Sequence, residues 1–251
     1  NNLVSRDWGG IECLTCFSII PKKIPSEIEI INHYSSDLNT SDYYHKEALK
    51  GDKLIRYANW YLKLIRKYIL HGKLFDIGSG VTPFPQLAFK NGFKTTSGDI
   101  KQYYKSNSNV KRVEISVNRE IKELKYLAKY DIVTFFAVVE HTSNPELAIK
   151  NLTKLCKENG YIFLTTPDIG KWYHNFALGG SKWFDPPGHL HIISGSQINK
   201  IFERYNCKLI SRGIFDISLP RYLIRYGICF VEGAIGYAMY KINKRFFNYL
   251  K

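Results

Sequence analysis

Asp76, Gly78, Gly80 and Asp99 are the residues whose types and spacing first suggest chemistry. The run Lys73-Leu74-Phe75-Asp76-Ile77-Gly78-Ser79-Gly80 is short and apolar, ends in an acid and two near-adjacent glycines, and is followed nineteen residues after Gly80 by Asp99. Such a run reads as a buried strand turning sharply into a helix, with bare backbone facing a ligand. Thr82 is placed to cap that helix and Pro83 to occupy its first position. A second strand, Phe93 to Ser97, brings Asp99 to its end, where a carboxylate can accept hydrogen bonds from a ribose diol. This is a nucleoside-binding layout. A dinucleotide fingerprint would need a third glycine near position 83, where the chain has proline, so a pyrophosphate site is disfavoured.

A second group of reactive residue types follows the apolar run Asp131 to Phe136. That run is of buried-strand type and leads through Ala137-Val138-Val139 into Glu140-His141. Asn144-Pro145 opens a helix whose apolar face is Leu147, Ala148, Leu152 and Leu155. Asn159-Gly160 ends it, and the strand Tyr161 to Thr165 runs into Thr166-Pro167. A neutral imidazole at His141 could take a proton from a hydroxyl; the alternative is that His141 only caps the loop before Asn144.

Asp76-x-Gly78-x-Gly80 with Asp99 resembles the first two motifs of class I S-adenosylmethionine-dependent methyltransferases. The order strand, Glu140-His141, Asn144-Pro145 helix, Asn159-Gly160, strand and Thr165-Thr166-Pro167 resembles a subgroup that includes ubiquinone-biosynthesis O-methyltransferases and sugar or polysaccharide methyltransferases. The resemblance implies a Rossmann-like three-layer α/β sandwich with a mostly parallel central sheet of six or seven strands. It implies S-adenosylmethionine as cofactor, with Asp76, Gly78, Ser79, Gly80, Asp99, Phe136 and Ala137 as its binding residues and Asp76 fixing the loop. It also implies a small-molecule or saccharide acceptor; on residue type and position, His141 and His189 are the candidate catalytic histidines. In the ubiquinone enzymes a glutamate three residues before the Glu-His pair helps to bind a divalent metal. Ala137 stands there, so no metal is expected. A nicotinamide-dependent oxidoreductase and a non-catalytic nucleoside-binding or assembly protein are the rival readings on the same fold.

The elements that must position these residues divide into three parts. Residues 1–40 are expected to be irregular, with Pro21 and Pro25 as breakers. Cys13-Leu-Thr-Cys16 supplies two of the four ligands of tetrahedral zinc, and the text after it resembles the tail of a cysteine knuckle that precedes some family members; two unligated thiols is the alternative. Residues 41–220 form the main domain. It opens with a helix bearing Leu54, Ala58, Tyr61, Leu62, Ile65 and Ile69 on one face, ended by His71-Gly72. Residues 110–115 and 208–210 read as further strands, and a short helix carries Ile121, Leu124 and Leu127. Ser194 with Gln197 makes a capping box for a last helix. The segment 168–193 is long, aperiodic and rich in Trp172, Trp183, His189 and His191, and it follows a strand at the carboxyl edge of the sheet. It is therefore expected to shape the acceptor pocket, with Trp172, Trp183 and His191 as substrate-binding residues. Asp185-Pro186-Pro187-Gly188 reads as a turn.

Residues 221–251 read as a basic amphipathic helix that could face a membrane surface or a partner protein, with packing against the core as the commoner alternative, and no final antiparallel strand is evident. Its apolar run Gly227 to Val231 is too short, and too closely followed by Glu232, to span a bilayer. The formal charge of +14 invites an anionic partner, but there is no dense basic block, so nucleic acid is not expected. Five scattered cysteines and no signal-like start point to a reducing, cytoplasmic setting without disulfides. If the 168–193 segment shapes the acceptor pocket, Trp183→Ala will slow methyl transfer and leave cofactor affinity, measured by calorimetry, nearly unchanged.

Overall fold

The computed structural model describes residues 2–6, 9–35, 52–100, 109–122, 126–167, 184–215 and 235–242. Trp172 and Trp183 lie outside them, as do the start of the expected helix near residue 41 and most of the 221–251 segment.

Apolar alternation builds the sheet. In β4 (Gly72–Ile77), Leu74 faces one side while Phe75 and Ile77 face the other. In β7 (Tyr130–Phe136) Ile132 faces with Leu74, and Val133 and Phe135 with Phe75. In β8 (Cys156–Pro167) Phe163 lies with the first set, and Ile162 and Leu164 with the second. A strand buried on both faces needs a helical layer on each. On the Leu74 side these are α2 (Asp52–Ile65), through Ala58, Tyr61, Leu62 and Ile65, and α3 (Phe84–Lys90), through Phe84 and Ala88. On the Phe75 side they are α4 (Pro145–Leu155), through Ala148, Ile149, Leu152 and Leu155, and α5 (Gly195–Arg204), through Ile198 and Phe202.

With β5 (Phe93–Asp99), β6 (Lys111–Glu114), β9 (Cys207–Phe215) and β10 (Ile235–Ile242), the sheet has seven strands in the order β6-β5-β4-β7-β8-β10-β9. The first five are mutually parallel, and β10 inserts antiparallel between β8 and β9. This is the three-layer sandwich expected. Residues 235–242, expected to be helical, are this antiparallel strand, so the seventh strand is present; pairing on both edges satisfies its backbone and overrides a helix-compatible spacing of tyrosines.

The N-terminal segment is not irregular. It forms a three-stranded antiparallel sheet, β1 (Leu3–Ser5), β2 (Gly10–Cys13) and β3 (Ile19–Pro21), then helix α1 (Glu27–Ser35). Ser26 and Glu29 make a reciprocal capping box: the Ser26 amide donates to Glu29 Oε2 at 2.7 Å and the Glu29 amide to Ser26 Oγ at 3.2 Å. Ile19, fully buried, exchanges two backbone hydrogen bonds with Ile192, of 2.8 and 3.0 Å, which stitches this sheet to the main domain.

Caps separate into those that form and those that do not. Asn144 Oδ1 accepts the Leu147 amide at 3.0 Å, as its type predicts. Thr82 caps nothing, because α3 starts one residue later with Pro83 at the cap position and no side-chain cap bond. The Ser194–Gln197 box does not form either; Ser194 Oγ lies 3.0 Å from Ser196 Oγ, and the Ser194 amide donates to Ser18 Oγ, just before β3 of the N-terminal sheet, at 3.1 Å. Of the helix expected to carry Ile121, Leu124 and Leu127, Leu124 lies outside the described residues; Ile121 and Leu127 are not helical, and a turn covers 126–128.

Asn151 in α4 holds the loop after β6. It is fully buried, its Oδ1 accepts the Ile121 amide at 3.1 Å, and its Nδ2 donates to the carbonyls of Val117 and Arg119 at 3.1 and 2.9 Å. Asn151→Ala leaves these backbone groups without partners in an apolar setting, and the expected loss is about 3 kcal/mol in a urea unfolding titration.

Candidate active site

The carboxyl ends of β4, β5 and β7 surround a cavity of about 110 Å³ that opens to solvent. Such a crevice outside the strand ends is where an open α/β sheet presents its ligand. Gly78, at φ +70°, makes the turn out of β4, and its amide donates to the Gly98 carbonyl at 2.7 Å. A Cβ at Gly78 would overlap the side chain of Val138, so both the dihedral and the contact require glycine. Gly80, also at positive φ, faces open space within the cavity lining, and its amide donates to Asp99 Oδ2 at 2.7 Å. Asp99 Oδ1 accepts the Ile100 amide at 2.7 Å. The acid ending β5 is thus oriented by the glycine turn it faces.

Of the expected cofactor residues, Gly78, Gly80, Asp99 and Ala137 line the cavity. Asp76, Ser79 and Phe136 are not among its lining residues. Asp76 is buried beneath the turn, with Oδ1 accepting from Thr134 Oγ1 at 2.6 Å; burial pushes its pKa up to about 7. Ser79 is buried against Ser97, with their hydroxyls 2.5 Å apart. Phe136 stacks on Tyr61 at 3.9 Å and meets Phe84 and Phe163 edge-on, so it belongs to the α2 face of the core.

His141 also lines the cavity. The residues after β7 form a single 3₁₀ turn (Val139–His141), which drops Glu140 into the interior and leaves His141 on the cavity wall. Glu140 Oε2 accepts from Thr166 Oγ1 at 3.0 Å, and its carbonyl accepts the amides of Leu190 and His191 at 2.7 and 3.0 Å. Burial raises the Glu140 pKa to about 7, with nearby His189 opposing the rise. A carboxyl raised in this way, like Asp76, favours the folded state fully below the ordinary carboxylate range, and that contribution is lost as pH rises through about 7. Burial lowers the His141 pKa to about 4, opposed by the Gly188 carbonyl and assisted by the charge of His33, so the ring is neutral near pH 7.

His189 closes the turn from Asp185 and brings its ring to 4.6 Å from that of His141. Donor atoms of Glu140, His141 and His189 lie within 4.8 Å of one another. The expectation of no metal rested on two donors; the fold adds a third from 48 residues beyond His141. Two imidazoles and one carboxylate are a donor set that suits a divalent transition metal. His191, expected to touch substrate, is instead buried against the backbone of Thr142 and Ser143, with its pKa lowered to about 4 by desolvation.

Sequence reasoning missed Ile30 and Tyr34, which bring α1 over the cavity, and the β6 loop residues Val117 and Asn118 beneath it. The capping box Ser26-x-x-Glu29, followed by an i, i+4 apolar pair at Ile30 and Tyr34, was the available signal for α1.

Comparison with known proteins places this geometry. A family described as methyltransferase domain matches residues 52–212. Among curated proteins, a ubiquinone biosynthesis O-methyltransferase of Coxiella burnetii is 27% identical over 130 residues, covering 49% of this chain and 56% of that protein. The chain thus spans little more than half the length of that relative. The protein of the same description from Pelagibacter ubique is 25% identical over 177 residues, covering 66% and 71% of the two chains. Among solved structures, 1,6-didemethyltoxoflavin-N1-methyltransferase of Burkholderia thailandensis, with S-adenosylhomocysteine bound, superposes with a TM-score of 0.61 at 11% identity, covering 97% of this chain and 100% of that one. An S-adenosylmethionine-dependent methyltransferase from Mesorhizobium loti gives 0.58 at 9% identity, covering 75% and 99%. At these identities the two structures share the fold alone.

Asp99→Ala removes a charged acceptor from the cavity and the anchor of the Gly80 amide. It is expected to weaken S-adenosylhomocysteine binding by about 1–3 kcal/mol in a calorimetric titration, with equal binding by wild type and variant as the contrary result.

Proposed function

The chain belongs to the class I S-adenosylmethionine-dependent methyltransferases, and from that premise we propose that it methylates a hydroxyl oxygen of a small-molecule or saccharide acceptor, with His141 as the general base. The observation that carries this reading is that the imidazole of His141 lines the same cavity as Ala137 and the Gly80–Asp99 pair.

Gly78 and Gly80 would leave backbone against the amino-acid part of S-adenosylmethionine, and Asp99 would accept hydrogen bonds from its ribose hydroxyls. Ala137, Val138 and His141 line the same cavity and would border the transferred methyl. The sulfonium already activates the methyl, so the main task is to hold acceptor oxygen, methyl carbon and sulfur in line, with reacting atoms near 3 Å apart. An alcohol or phenol must give up its proton as its oxygen takes the methyl, and His141 would accept that proton at Nε2. The names of the curated relatives, O-methyltransferases, support oxygen as the attacked atom.

The three-donor cluster supports a second reading of the same site. A divalent cation bound there would lower the pKa of a coordinated acceptor hydroxyl. Glu140, His141 and His189 would hold it, and Thr166 would orient the Glu140 carboxylate.

The test is transfer of a labelled methyl from S-adenosylmethionine to a panel of phenols and free sugars, read by mass spectrometry. His141→Asn is expected to lower turnover by roughly a hundredfold while cofactor affinity stays unchanged. Activity that survives exhaustive chelation supports His141 as a free base. Activity lost on chelation and restored by a divalent metal supports the cation, and full activity in His141→Asn overturns both.

A further inference from the structure

Helix α1 lines the cavity, with one end tied to the loop after β6 and the other to His141. At its start, Glu27 Oε1 accepts from Ser116 Oγ at 3.0 Å and lies 3.8 Å from Arg119, both on the loop after β6. In its middle, Ile30 is only 2% exposed and lines the cavity. At its end Tyr34, also a lining residue, reaches His141.

The contact is a closed set of three groups. Tyr34 Oη lies 2.6 Å from His141 Nδ1 and donates to the Gly188 carbonyl at 3.2 Å. His141 Nδ1 lies 2.9 Å from that same carbonyl. A carbonyl oxygen only accepts, so Nδ1 at this distance carries the ring proton. With the Tyr34 hydroxyl hydrogen directed to Gly188, its oxygen lone pair receives the second share of the Nδ1–H. The lone pair of the imidazole is then at Nε2. The ring planes of Tyr34 and His141 meet edge-on, at 87° with centroids 5.6 Å apart, and His33 packs against the other side of Tyr34 at 5.0 Å, so the phenol is held in plane with its task.

We infer that Tyr34 is the positioning residue of this site: seated by α1, its hydroxyl and the Gly188 carbonyl together hold His141 as the Nδ1–H tautomer with the Nε2 lone pair free. The inference rests on the assignment of His141 to the acceptor side of a methyltransferase site, and it serves a free base and a metal ligand equally, since both act through Nε2. It also makes the seating of α1 part of assembling the site. When α1 is displaced, His141 loses one of its two orienting partners, and a lone imidazole samples both tautomers. The other groups near the ring are Glu140, His189 and His33, and none of them accepts the Nδ1–H among the described hydrogen bonds.

The experiment reads the tautomer directly and needs no acceptor. Full-length protein with ¹⁵N-labelled histidine and bound S-adenosylhomocysteine is examined by long-range ¹H–¹⁵N correlation near pH 7.5, with His141 assigned from the spectrum of His141→Asn. Wild type is expected to show one protonated Nδ1 and one unprotonated Nε2. Tyr34→Phe keeps the ring and its packing, and is expected to draw the two nitrogen shifts toward each other as the tautomers mix, with S-adenosylhomocysteine affinity within about twofold of wild type. A Tyr34→Phe spectrum that keeps the single wild-type tautomer overturns the inference. So does a wild-type spectrum with the proton on Nε2. A mixed tautomer in a variant with full methyl-transfer activity would overturn the role of His141 while leaving the hold of Tyr34 on it intact.

Discussion

The site depends on one steric constraint, the closeness of the turn after β4 to the loop after β7. Val138 occupies the space that a side chain at Gly78 would need, so the two strand ends can approach only through glycine in a left-handed conformation. From that contact the rest follows in sequence. Gly80 is left facing open space, its amide meets Asp99, and Ala137 and Val138 border the same cavity. The 3₁₀ turn that follows Val138 then sets Glu140 inward and His141 on the wall.

Beneath the site the sheet is unusually polar for its depth. Asp76, Thr134, Thr165, Thr166 and Glu140 are all nearly or fully buried, and each carboxyl has a threonine hydroxyl as partner. Desolvation raises the pKa of both acids well above the ordinary carboxylate range. A threonine donor satisfies one oxygen of each acid without importing a cation, which would itself need pairing. The turns above are therefore fixed by hydrogen bonds that carry little net charge, and His141, desolvated as well, stays neutral beside them.

The N-terminal sheet and α1 complete the site from outside the main sandwich. Ile19 pairs with Ile192, Ser18 with the start of α5, and Tyr34 with His141 and Gly188. All three contacts fall on the stretch between β8 and α5 or on the turn it packs against, so this short sheet props the stretch that carries His189. Cys13 belongs to the same sheet, at the end of β2, and the amides of Thr15 and Cys16 hold its thiol below the usual range. Among the described residues no helix is long and apolar enough to cross a membrane.

The sequence by itself determined the parallel half of the sheet, because strands buried on both faces announce themselves as apolar runs, and glycine with acid at their ends is a local code for a turn against a ligand. Gly78, Gly80, Asp99 and the Asn144 cap were legible for that reason. Only the tertiary structure decided the role of residues whose partners lie far away in the chain. Phe136 and Ala137 are adjacent, yet the pleat sends the phenyl ring into the α2 face and leaves the alanine on the cavity. His189 and His191 have the same spacing-based claim to the site, and the turn from Asp185 gives it to the first and buries the second. Strand β10 was masked by the spacing of Tyr237 and Tyr240, since pairing on both edges, a non-local property, is what makes it a strand. Tyr34 meets His141 across 107 residues, a proximity that no local pattern encodes and that exists only because α1 is closed over the carboxyl edge of the sheet.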